Sequence, residues 1–148
     1  MTSEPVSAPG KTYLQVVGIF FIAFGSVSIV LSIHGLFNAG YLDATLPTAS
    51  GMSWGIYYIM LLLGALFRVT LGVMGVAYRT RLEKAALLKI LGILFIGYSI
   101  LYMFLSSMIV YGYLADRLGL ALAIGLIIPA LFIIGAHKNH VAYKEKQT

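Results

Sequence analysis

The sequence predicts an all-α integral membrane protein, a bundle of four transmembrane helices that reads as two similar helical hairpins. Three observations carry this. Of 148 residues, 60% are hydrophobic and 10% charged, far from the roughly half apolar and one-quarter charged balance of soluble domains. Four long runs almost free of charge follow one another, and roughly 20 apolar residues cross a bilayer as a helix. The charges that remain collect outside these runs, most densely in Arg79-Thr-Arg-Leu-Glu-Lys-Ala-Ala-Leu-Leu-Lys89.

Taken in order, residues 1–11 (MTSEPVSAPGK) are polar and rich in Pro, Ser and Gly, the composition of a flexible cytosolic tail. The apolar run over about 13–36 exceeds the roughly 7–15 residues of a signal-peptide core, so it is read as a retained first span. Residues 41–50, with the single charge Asp43, read as a loop outside the membrane. A second span over about 54–78 leads into the basic hairpin, and a third occupies about 90–111. Residues 112–118 form a tight turn, and the fourth span covers about 118–136. The transmembrane domain therefore extends over 12–136, and 137–148 is read as a basic cytosolic C-terminal tail.

Orientation follows from Lys and Arg near the span ends. One side carries Lys11, Arg79, Arg81, Lys84, Lys89, Lys138, Lys144 and Lys146, whereas the other carries Arg117. Both termini are thus expected in the cytosol of a bacterial cell, with the protein multi-pass in its cytoplasmic membrane. Tyr41, Trp54, Tyr57, Tyr58, Tyr111 and Tyr113 then gather near the outer interface and Tyr13, Tyr78 and Tyr143 near the inner one, as an aromatic belt requires. The net charge of +5 is expected to meet anionic lipid headgroups at the cytosolic face, because the cations flank spans and form no basic helix face suited to nucleic acid. With no cysteine present, disulfides, thiolate metal sites and thiol redox chemistry are excluded.

The first and third spans share a pattern at an offset of 74 residues: Gly18, Gly25 and Ser32 fall on Gly92, Ser99 and Ser106. A spacing of seven is nearly two helical turns, so each series makes one small-residue stripe. Helices associate in lipid through such stripes.

Arg68 is the sharpest chemical feature. It lies fourteen residues past Trp54 and ten before Tyr78, near mid-bilayer at about 1.5 Å per residue. A cation at that depth costs about 2.5 kcal/mol or more, so such residues mark sites or braces. At about 100° per residue, Tyr57, Gly64, Arg68, Gly72 and Gly75 share an arc of roughly 80°, which turns Arg68 toward other helices or a cavity. No span holds Asp or Glu. The guanidinium must then find Tyr98, Ser99, Tyr102 or Ser106, freed backbone carbonyls, water or an anion. Pro129 frees one such carbonyl, near Gly125. The candidate ligand-binding set is Arg68, Tyr57, Tyr98, Tyr102, Ser99 and Ser106.

Other candidates are weaker. His137 and His140 can share a helix face but lack a third metal ligand nearby. His34 is read as structural, and Pro129 as a static kink. Asp43 and Asp116 stand on different loops, and no GxSxG, HExxH or phosphate-loop motif occurs, so no catalytic residue, metal or cofactor is assigned. Three functional classes follow. First stands a non-enzymatic accessory or scaffold protein, joining itself or a larger complex through its Gly/Ser stripes. Second stands an oligomeric transporter or channel component with an anion or lipid site at Arg68, and third an enzyme acting on a lipid-like substrate.

Overall fold

The computed structural model describes residues 8–46, 53–109 and 118–147. They form four helices, α1 (Lys11–Thr45), α2 (Trp54–Ala77), α3 (Ala85–Ile109) and α4 (Leu118–Glu145), with a 3-10 turn at Leu82–Lys84 ahead of α3. Four stretches within them are long and apolar enough to cross a membrane. Their outward faces suit lipid: Val30 is 67% and Phe37 87% exposed. The expected turn at 112–118, the loop beyond Leu46, the first seven residues and the side chains of Tyr111, Tyr113, Asp116 and Arg117 lie outside what is described.

Successive helices run antiparallel, and α4 returns to pack on α1, closing a ring. The α1–α2 pair is held by touching backbones. A Cβ built on Gly18 would stand 2.8 Å from the Gly72 carbonyl oxygen, and one on Gly72 only 2.6 Å from that of Gly18. One turn-pair further along, a Cβ on Gly25 would meet the Ala65 oxygen at 3.1 Å. Such proximity supplies the dispersion contact that lipid does not drive by itself. In the α3–α4 pair the matching Gly92 faces side chains, Phe132 and Ile133. The glycines of the first stripe are therefore used inside their own hairpin, whereas of the second stripe Gly92 packs on α4 and Ser99 and Ser106 turn to the α2–α3 seam.

Between the hairpins lies an aromatic centre. The Phe21 ring stands 5.4 Å from Phe95 and 5.7 Å from Phe132, edge-on and tilted geometries that favour ring quadrupoles. Leu14, Leu71, Leu88 and Ala136 complete this core. It fills the half of the bundle nearest the basic hairpin.

Two helices run past their expected ends. α1 continues through Tyr41 to Thr45 where a loop was expected, because its polar side chains bond back to the helix. Asn38 Nδ2 donates to the His34 carbonyl at 2.8 Å, and the Thr45 hydroxyl to that of Tyr41 at 2.8 Å. α4 likewise continues past Ala136 to Glu145, with no Gly or Pro after Gly135 to stop it. At 35 residues, α1 rises about 52 Å, beyond the roughly 30 Å hydrocarbon core, so its last turns stand clear of the acyl chains.

There Asp43 ties α1 to the start of α2. Its carboxylate accepts from the Ser53 hydroxyl at 2.7 Å and from the Trp54 N–H at 2.7 Å. The Ser53 oxygen in turn accepts from the Gly55 N–H at 3.0 Å, capping α2. Replacing Ser53 with Ala is expected to cost about 1 kcal/mol, the usual value of a cap, read as a lower unfolding midpoint in detergent.

Candidate functional site: an arginine cavity between α2 and α3

Away from the aromatic core the α2–α3 seam opens. A cavity of about 270 Å³ is lined by Tyr57, Met60, Leu61, Gly64, Ala65 and Arg68 from α2, by Phe95, Tyr98, Ser99, Tyr102, Met103 and Ser106 from α3, and by Gly125 from α4. It runs from the first turn of α2 to Arg68, eleven residues or about 16 Å deep. All six candidate residues, Arg68, Tyr57, Tyr98, Tyr102, Ser99 and Ser106, stand on its wall. Two of the tyrosines read as an interfacial belt turn inward instead. Tyr57 joins the wall, and Tyr58 fills the space over Gly35, where a Cβ would meet its ring at 2.1 Å.

Arg68 stands at the cavity floor. Its guanidinium carbon lies 5.7 Å from the Phe95 ring centroid, within range of a cation–π contact. The same side chain borders a second cavity of about 70 Å³, lined by Phe20, Phe21, Phe24, Phe95, Gly125, Ile128 and Pro129. The arginine thus divides two spaces. Gly125 borders both, and its carbonyl has lost its intrahelical donor because Pro129 carries no N–H.

The hydroxyls expected to take up the guanidinium protons do not do so. Ser99 donates to the Phe95 carbonyl at 2.8 Å, Ser106 to that of Met103 at 3.0 Å, and Tyr98 to that of Met60. Serine in a helix returns its proton to a carbonyl of the preceding turn when no better acceptor is near, and the Tyr98 ring, wedged against Gly64, reaches across to α2. Among the described residues, then, Arg68 has neither a hydrogen-bond acceptor nor an ion-pair partner. Among the described residues it is the one charged side chain in the lining.

No family model matches the chain, and no curated protein or solved structure matches it. The site must be read from its own chemistry. The lining presents one guanidinium, three phenol rings, two hydroxyls already bonded to backbone, and otherwise apolar side chains. Among the described residues it contains no carboxylate, imidazole, thiol or amine, the groups that carry most acid–base and nucleophilic catalysis.

A second polar cluster, not anticipated from sequence, closes the opposite end of the bundle. Asn139 on α4 is fully buried. Its Oδ1 accepts from the Gly10 N–H at 2.6 Å, and its Nδ2 donates to the Arg79 carbonyl at 3.0 Å. One amide so joins the start of α1, the end of α2 and α4. Gly10 allows this approach, since a Cβ there would stand 1.8 Å from the Gly135 oxygen. Arg79 Nη1 also donates to the Val76 carbonyl at 3.0 Å, where a cation favours a helix C-terminus. Replacing Asn139 with Leu leaves a buried donor and a buried acceptor unpaired, at about 1–3 kcal/mol each. A fall of roughly that size in unfolding free energy is expected. His137 is exposed and His140 half-buried on the same helix, and no group of three metal-ligating side chains forms among the described residues.

Proposed function

We propose that this small multi-pass membrane protein binds an anionic ligand at Arg68, as a transporter or channel component. The observation that carries the reading is a guanidinium with no acceptor among the described residues, facing a 270 Å³ cavity inside a membrane bundle. A structural brace would have its donors met by neighbouring helices. An unmet cation at this depth is costly unless water or a ligand anion meets it.

The scaffold reading draws less support, because the glycines of its stripes are met inside the chain, Gly18 by Gly72, Gly25 by Val69 and Gly92 by Phe132 and Ile133, while Ser99 and Ser106 line the cavity. The described lining holds no carboxylate, imidazole, thiol or amine, which favours binding over catalysis. Lys11, Arg79, Arg81, Lys84, Lys89, Lys138 and Lys144 belong to one end of the ring, where Asn139 joins residues 10 and 79. By the positive-inside rule that end is cytosolic, which leaves the cavity reaching from mid-membrane toward the opposite face.

Native mass spectrometry in detergent tests this. Wild-type protein is expected to carry an anionic adduct that Arg68→Gln loses while keeping its helical content and melting. An adduct retained by Arg68→Gln, or none on the wild type across detergents, would contradict the reading.

A further inference from the structure

Resting on that reading, we infer that the Arg68 cavity takes a small monocarboxylate with a compact apolar body, about the size of a substituted benzene. Size sets the first bound. An apolar cavity of about 150 Å³ holds one benzene, so 270 Å³ accommodates a ring or short branched chain plus a carboxylate. A two-chain phospholipid is far larger than this space.

Charge sets the second. Among the described residues Arg68 is the single cation on the wall, and one positive charge is best matched by one negative charge. A dianion such as a phosphomonoester would leave a net buried charge with no partner. A carboxylate matches the planar fork of a guanidinium with two parallel hydrogen bonds.

The rest of the wall sets the third. Met60, Leu61, Ala65 and Met103 offer apolar contact, and the rings of Tyr57, Tyr98 and Tyr102 form a continuous series at 6.0 and 6.4 Å between centroids. Thioether sulfurs and aromatic faces suit a flat or branched hydrocarbon body. The Ser99, Ser106 and Tyr98 protons are committed to backbone carbonyls, so these hydroxyls offer a ligand acceptors but no donors.

Isothermal titration of the purified full-length protein with benzoate, hexanoate, benzamide and inorganic phosphate tests the assignment, together with native mass spectrometry from phosphatidylglycerol nanodiscs. Benzoate and hexanoate are expected to bind, and benzamide and phosphate to bind at least tenfold more weakly. Carboxylate binding is expected to fall at least tenfold in Arg68→Gln. It is also expected to fall in Ser99→Leu, which fills the cavity and keeps the arginine. Arg68-dependent binding of phosphate or phosphatidylglycerol in preference to the carboxylates would overturn the ligand class and leave the anion site standing. If no probe distinguishes wild type from Arg68→Gln, both the class and the site fall.

Discussion

Replacing Arg68 with Leu is expected to leave the bundle folded and at least as stable as the wild type, while abolishing anion binding. Removing a cation from mid-bilayer relieves about 2.5–3.5 kcal/mol on insertion scales. Against this stands the contact with the Phe95 ring at 5.7 Å, worth about 1 kcal/mol, or about 2 if fully desolvated. The balance favours the variant by about 1 kcal/mol. A brace behaves in the opposite sense: breaking a buried, fully partnered cation costs about 3–5 kcal/mol. Thermal unfolding in detergent, followed by circular dichroism, separates the two by sign. Stability would here be traded for a site, a common arrangement where function needs a group that folding does not.

Replacing Gly72 with Val is expected to be strongly damaging. Its Cβ would stand 2.6 Å from the Gly18 carbonyl oxygen and 2.9 Å from the Ile22 backbone nitrogen, so no side-chain rotation relieves the clash. α1 and α2 must separate, and the contacts at Gly18 and Gly25 loosen with them. Overpacking in a rigid core costs about 1–3 kcal/mol. Here backbone itself is displaced along a whole interface, so a loss of about 3 kcal/mol or more is expected, seen as little folded protein recovered from membranes. Gly97→Ala provides the contrast. A Cβ there meets nothing within 4 Å, and Ala favours a helix over Gly by up to about 1 kcal/mol, so that variant should melt at or above the wild type.

Much of this arrangement is legible in the sequence because lipid is a demanding solvent. Each span must satisfy its own backbone and hide its few polar groups, which fixes helix number and turns Arg68 and the small residues inward. The lack of any carboxylate in the spans points to the polar oxygens of Tyr98, Ser99, Tyr102 and Ser106 as the surroundings of that arginine, and all four line its cavity. What spacing does not reveal is where protons go. The serines and Tyr98 are expected as acceptors for Arg68, yet no bond from the guanidinium reaches them, and each donates its own proton to a carbonyl. Asn139 was invisible for another reason: its partners lie 129 and 60 residues away, and nothing local in His-Lys-Asn-His marks a buried amide. The helix ends were misjudged where Asn38 and Thr45 look like loop residues but bond back to the preceding turn. Tyr57 and Tyr58 read as an interfacial belt because ring chemistry alone does not tell a headgroup from a cavity.

Arg68 faces an open, wettable space and is not sealed between helices. Because the chain has no cysteine, a single cysteine reports on one place. Ser99→Cys in membrane vesicles is expected to react with a small cationic methanethiosulfonate, and to be protected by the bound anion, while Leu71→Cys in the closed core stays unmodified. An unreactive cysteine at 99 in folded protein, matching the one at 71, would contradict the account.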